Sequence, residues 1–316
     1  MTVLLYIIIM THEFIVACMN NDMETIKKLV HLVDIHMNDK EGFIWACMNG
    51  HIDVVRYLIE LNKNINICAK YDCGFIWACM NGHIAVVRYL VENTNVNIHT
   101  RDDYGFRGAC MNGHIAVMRY LGEVNRNVPI HAKIEEDFIW ACMNGHLDIV
   151  ISLVELNVSS HAKNDGFKWA CANGHIDVVM YLVQLNINPM DGFKWACANG
   201  HINVVRYLVE LNMNINIVDV YSFIFACQYG HYDIVRYLVM LNQNNVHTYG
   251  ISLACHFGQH DIVRYLVKLQ QCVKYRRTNK KTMLVDSNIE YNSHYHPNKY
   301  INNLGNYKNS NIKFIL

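Results

Sequence analysis

The feature that most limits how this chain can fold is a phrase that keeps returning. "FIWACMNGHIDVVRYL" at 43–58 recurs as "FIWACMNGHIAVVRYL" at 75–90, and again with changes from 138, 167 and 193. An Ala-Cys pair marks the period, at Cys18, Cys47, Cys79, Cys110, Cys142, Cys171, Cys197, Cys227 and Cys255. Successive intervals fall between 26 and 32 residues. A self-similar period of this size means that each copy is one supersecondary unit too small to bury its own apolar face. Stacking the copies buries a continuous core, and the product is a solenoid. Nine copies cover roughly residues 11–270.

Each unit reads as two short helices. The first spans about Phe43 to Asn49, and Gly50 ends it, because glycine accepts the left-handed backbone just past a helix end. The second spans about Ile52 to Leu61. Ile52, Val55, Leu58 and Ile59 recur at helical spacing, and Val54 and Leu61 are expected to widen the buried face. Asp53, Arg56 and Glu60 form the opposite, solvated stripe. Asparagine then closes the second helix at Asn62, Asn125, Asn157, Asn186, Asn212 and Asn242, since it tolerates the left-handed conformation next best after glycine. Polar connections of variable length follow and are read as loops or short hairpins.

The unit resembles the ankyrin repeat. "NGHIDVVRYLIELNKNIN" carries that family's Gly-His turn, its Ile/Val-rich second helix and its closing Asn-bearing segment, and "WAC" stands where the family has Leu-Ala-Ala. The phrase is similar to those of ankyrin proteins from giant, mimivirus-type DNA viruses. The resemblance implies an all-α ankyrin-repeat solenoid of about nine helix-turn-helix units joined by short hairpins or loops. The family's Thr-Pro-Leu-His helix entry is missing; "EGFI" at 41–44 takes its place. Asp165 and Asp191 are expected to serve as helix caps in two units instead. The terminal units are atypical, as terminal repeats in solenoids are: Asn21-Asp22 replaces Gly-His in the first, and Gln259 replaces the histidine in the ninth.

Cysteine and histidine four residues apart, as in Cys47 and His51, raise the question of metal. A tetrahedral zinc site needs about four convergent ligands. Here one Cys and one His lie on opposite sides of a helix end, with the next unit about ten ångströms away. The cysteine is read as a small buried apolar residue and the histidine as a partner for backbone groups at the turn. No metal and no cofactor are expected. Trp45, Trp77, Trp140, Trp169 and Trp195 share one position, held elsewhere by Val16, Gly108, Phe225 and Leu253. That exchange reads as core packing. No nucleophile triad, phosphate-cradling loop or carboxylate pair stands out, so no catalytic residue is assigned and the chain is not expected to be an enzyme.

In ankyrin-like stacks the hairpin tips and first helices line a concave binding face. The resemblance carries this over to Met48, Asn49, Met80, Asn81, Met111, Asn112, Met143 and Asn144. A methionine row suits adaptable apolar contacts; recent duplication that copied the pair unchanged accounts for it equally simply. The segments Tyr71-Asp72-Cys73 and Arg101-Asp102-Asp103-Tyr104 differ from their counterparts, are read as loops, and are the candidates for specificity.

Lysine plus arginine equals aspartate plus glutamate, so the net charge is zero. That argues against a chain-wide grip on nucleic acid or anionic membrane. The apolar run 3–10 falls far short of the roughly eighteen residues of a membrane span and lacks the flanks of a signal peptide. The twelve cysteines are diluted in a long chain and mostly periodic, which suits a reducing, intracellular setting. Residues 1–10 read as an N-terminal extension, with Met10 an alternative start, 11–270 as the repeat domain and 271–316 as a basic, Asn-rich tail bearing "KYRRTNKK" at 274–281. The expected function is a monomeric, nonenzymatic scaffold that binds a protein partner in the host-cell cytoplasm, or the nucleus. The alternatives are a ubiquitin-ligase substrate adaptor and a nucleic-acid-associated protein acting through the tail.

Overall fold

The computed structural model describes residues 2–33, 35–61, 68–124, 134–211, 220–241 and 247–279. The chain divides into two compact units, Met1–Lys268 and Leu269–Leu316. The described residues form eighteen α-helices and no strand. They alternate as nine pairs. The first helices are α1 (Thr2–Met19), α3 (Ile35–Met48), α5 (Cys68–Met80), α7 (Thr100–Asn112), α9 (Ile134–Asn144), α11 (Ser160–Asn173), α13 (Met190–Asn199), α15 (Val220–Tyr229) and α17 (His247–His256). The second helices are α2 (Met23–Leu29), α4 (Ile52–Leu61), α6 (Ile84–Asn93), α8 (Ile115–Val124), α10 (Leu147–Val154), α12 (Ile176–Gln184), α14 (Ile202–Glu210), α16 (Tyr232–Leu241) and α18 (His260–Asn279). Of the second unit only the end of α18 is described. The side chains of "KYRRTNKK" and the remainder of the tail lie outside the described residues.

From α1 to α15, each first helix packs on its own second helix and on the first helix of the next unit. The core stripe runs i, i+3, i+4: Phe43, Ala46 and Cys47 are buried, as are Phe75, Ala78 and Cys79, and Phe138, Ala141 and Cys142. This spacing puts the three side chains on one face. The second helices add Val54, Val55 and Leu58, or Val86, Val87 and Leu90. Asp53, Arg56 and Glu60 are exposed as read from the pattern. Leu61 is exposed too, contrary to expectation, because it sits in the last turn, past the reach of the neighbouring first helix.

The turn glycines take the left-handed backbone, with φ from +72° to +85° at Gly50, Gly82, Gly113, Gly145, Gly174, Gly200, Gly230 and Gly258. Asn157 and Asn186 close their second helices at φ 62°; Asn62, Asn125, Asn212 and Asn242 lie outside the described residues. In the first unit Asn21 adopts φ 60° in place of the glycine. Asp22 then caps α2, its carboxylate accepting from Thr25 N at 3.1 Å.

Several local readings are corrected. Asp165 does not cap α11: Ser159 does, accepting from Ala162 N at 3.2 Å, while Asp165 lies inside the helix, 2.9 Å from Lys168 Nζ. Asp191 is likewise one residue into α13; the helix follows Pro189, and Asn188 Oδ1 accepts from Met190 N. A hydroxyl or amide just ahead of the helix outcompetes a carboxylate within it, because only the former faces the exposed N–H groups. The first helices also begin earlier than the repeat phrase, so Tyr71, Asp72 and Cys73 belong to α5 rather than to a loop. Residues 2–10, read as part of an extension, share α1 with the first repeat.

Burial pushes the thiols of Cys47, Cys79, Cys110, Cys142, Cys171 and Cys227 well up from their ordinary range. Cys255 differs in being exposed, and Cys73 is half-buried. The reason is the stacking: each repeated cysteine is covered by the first helix of the following unit, and α17 has no such successor among the described residues. Brief alkylation of the native protein, read by mass spectrometry, is therefore expected to modify Cys255 and Cys73 and to spare Cys47, Cys79, Cys110, Cys142, Cys171 and Cys227. Uniform modification would contradict the stack.

Candidate functional site: the outer face of the first helices

The core stripe leaves i+2, i+5 and i+6 of each first helix on the other side. The first of these positions holds tryptophan, and here the expectation of core packing fails. Trp77 is 38% exposed, and Trp45, Trp140, Trp169 and Trp195 are half-buried. The residue inside is the phenylalanine two positions earlier. Met48, Met80, Met111 and Met143 are also half-buried, and Asn49, Asn81, Asn112 and Asn144 are exposed. One face of the stacked first helices thus carries rows of Trp, Met and Asn.

The asparagines do more than face solvent. Asn49, Asn112 and Asn144 donate their side-chain amides to Met19 O, Met80 O and Met111 O, at 3.1, 2.8 and 3.1 Å. These carbonyls end the preceding first helix, where no intrahelical donor remains. Asn81 instead donates to Trp77 O in its own helix. The turn histidines reinforce the pattern. Nε2 of His51, His83, His146, His175, His201 and His231 lies 2.8–2.9 Å from the carbonyl of Met19, Met48, Met111, Met143, Ala172 and Ala198. A carbonyl only accepts, so Nε2 carries the proton. In all of these but His51, whose preceding unit has Asn21 at the turn, the ring edge bearing Nδ1 lies over the turn glycine of that same preceding unit, filling the space a Cβ would need. Gln259 substitutes in the ninth unit, donating to Gln228 O at 3.4 Å. Burial holds His146 and His201 below their ordinary values, which favours the neutral ring. Cys47 is in the core and His51 is bonded to the neighbouring unit, so the two serve the stack as separate parts. On the second helices Arg56, Arg88 and Arg206 lie over the rings of Tyr89, Tyr120 and Tyr237 in the next unit, at 5.3, 4.4 and 5.7 Å.

The two candidate specificity segments are brought together. Asp72 Oδ1 accepts from Asn97 N at 3.2 Å, and Arg101 donates to Cys73 Sγ at 3.8 Å. Arg101, Asp102 and Asp103 form a left-handed turn, φ 51–59°, at the entry to α7. Asp103 pairs with His99 Nδ1 at 2.6 Å, and Tyr104 is exposed. The side chain of Tyr71 lies outside the described residues. Sequence reasoning missed Arg107, Glu136 and Asp137, which join this patch: Arg107 reaches Glu136 at 3.2 Å and Asp137 at 3.4 Å. The signal was present, since Arg107 breaks an Ile/Lys position and Asp137 breaks a glycine position of the repeat.

Residues 14–102, 138–219 and 191–249 match the family described as ankyrin repeats (3 copies), more than half of the chain. The chain belongs to the ankyrin-repeat family. Ankyrin repeats are typically non-catalytic scaffolds for protein–protein interaction. Among solved structures the stack is similar to the human ASB11 ankyrin repeat domain, at 20% identity and a TM-score of 0.44, covering 55% of this chain and 84% of that one. No curated protein matches the sequence. No helix among the described residues is long and apolar enough to cross a membrane.

Proposed function

We propose that this ankyrin stack is a nonenzymatic scaffold that holds a protein partner against the outer face of its first helices. The observation that carries the reading is the row of tryptophans left partly exposed, Trp77 most of all, although the stack's own core is already filled by phenylalanine. Apolar area of that kind on a repeated face is used for binding more readily than for folding. Beside the row, the charged patch of Asp72, Asp103, Tyr104, Arg107 and Glu136 breaks the repeat and so can distinguish one partner from another. The buried thiols of the repeats, which form no disulfide among the described residues, support an intracellular setting.

The test is a partner recovered by affinity purification, with its affinity then measured on purified components. Changing Trp77, Tyr104 and Trp140 together to alanine is expected to weaken binding at least tenfold, which needs only about 1.4 kcal/mol, while the melting temperature moves little. Unchanged affinity in the folded variant would reject this face. Loss of folding would show that the tryptophans are core after all.

A further inference from the structure

The first helices close on one another through a glycine placed one residue ahead of the core phenylalanine: Gly42, Gly74, Gly105, Gly166 and Gly192. A Cβ at Gly74 would stand 2.7 Å from Phe43 Cε1 and 2.9 Å from Cys47 Sγ; at Gly166 it would stand 2.7 Å from Phe138 Cε1 and 2.8 Å from Cys142 Sγ. Two seams lack the glycine. At α13–α15 the residue is Ser222, whose buried Oγ has no hydrogen-bond partner among the described residues. At α7–α9 it is Asp137, only 2% exposed. Three changes coincide there: Asp137 for glycine, Arg107 for the usual Ile or Lys, and Gly108 for tryptophan. Where neighbouring seams are closed by hydrocarbon, this one is wedged by a carboxylate and held by the Arg107 guanidinium at 3.4 Å.

We propose that the α7–α9 seam is a pH-gated opening point of the stack, an internal junction that separates more readily as the pH rises toward neutrality. The charges on Asp137 come from both elements that make the seam. From α7, Arg107 attracts its charge and Asp103, itself bonded to His99, repels it; from α9, Glu136 repels it. The Cys110 thiol on α7 feels the same carboxylate. On the far side of α9, α11 carries His161, Asp165 and Lys168, which pair among themselves at 3.5 and 2.9 Å, and α10 carries exposed Asp148.

Burial, opposed by Arg107, pushes Asp137 up to about 7. A carboxyl raised above its solvent value stabilises the closed seam while protonated. That contribution is complete below the solvent value of about 3.9 and is lost as pH climbs to the closed-state value. His146 acts with the opposite sign: burial holds it down, so its contribution to the same junction fades as pH falls below its ordinary 6.5. A substitution at Asp137 separates the two.

Cys110 reports this seam and Cys79, in the glycine-closed α5–α7 seam, is the internal reference. The thiolate's own pH dependence cancels in the ratio of their alkylation rates in the full chain. Between pH 6 and 7.5 the Cys110:Cys79 ratio is expected to rise about five- to tenfold. In Asp137→Asn, which keeps the wedge but not the charge, the ratio should no longer rise, and His146 alone would make it fall slightly. In Asp137→Gly it should likewise not rise, and should be lower. A flat ratio in the natural protein would overturn the proposal. So would an equal rise in Asp137→Asn, which would show that the effect does not come from this carboxyl.

Discussion

Replacing Phe138 with alanine is expected to cost the stack about 3–5 kcal/mol, a large part of the roughly 5–15 kcal/mol that holds a whole domain together. Phe138 is fully buried. Its ring edge fills the ground beneath Gly166, so the cavity opens directly onto the α9–α11 seam. Relaxation is limited on that side because the two backbones are already as close as a missing Cβ allows. A solenoid's stability is approximately a sum of units and nearest-neighbour interfaces, so damage in the middle should also divide it. Urea unfolding followed by circular dichroism is expected to shift to lower denaturant and to split into two phases. A single transition at the original midpoint would show that this seam does not couple the two halves.

The second large effect is at a turn. Gly145 has φ +77°, and the atom that a side chain would displace is His175 Nδ1 of the next unit. Gly145→Ala therefore combines a left-handed alanine, about 1–2 kcal/mol, with the loss of a hydrogen bond of about 1 kcal/mol to Met143 O. A total of about 2–3 kcal/mol is expected from these parts. The two contributions can be told apart with a double-mutant cycle. His175→Ala removes the obstruction, so Gly145→Ala made on that background should cost clearly less than on the natural one. Strict additivity would mean that the ring and the glycine do not share the space described.

Much of this was legible in the residues. The period gave the number of units, and glycine and asparagine marked the helix ends for conformational reasons that do not depend on neighbours. Tryptophan was misread because exchange among Trp, Phe, Leu and Val reports apolarity, not depth. The angular argument would have placed it correctly: Phe43, Ala46 and Cys47 share a face, and Trp45 is two residues, or about 200°, away from the first of them. The specificity segments were picked out by their irregularity alone. That Asp72 and Asn97 touch depends on the stagger between units, which no single unit's pattern contains. The bonds from His and Asn to the preceding carbonyls were hidden for the same reason, although the turn histidine was read correctly as a partner for backbone. Asp137 was visible as a broken glycine rule, but the rule itself becomes apparent only once the phenylalanine and cysteine are seen to press against it.

Those cross-unit bonds have a direction. Every repeat finishes the helix end of the one before it and leaves its own to be finished by the one after. A nascent chain emerging from the ribosome therefore adds a repeat that is incomplete until about thirty more residues have followed, and assembly runs with a built-in lag of one repeat. Truncation should show the same polarity. Removing repeats from the amino end takes away acceptors and leaves the His and Asn donors of the new first repeat to water, whereas cutting at the carboxyl end strands the last first-helix carbonyls and bares a cysteine, as Cys255 is bared now.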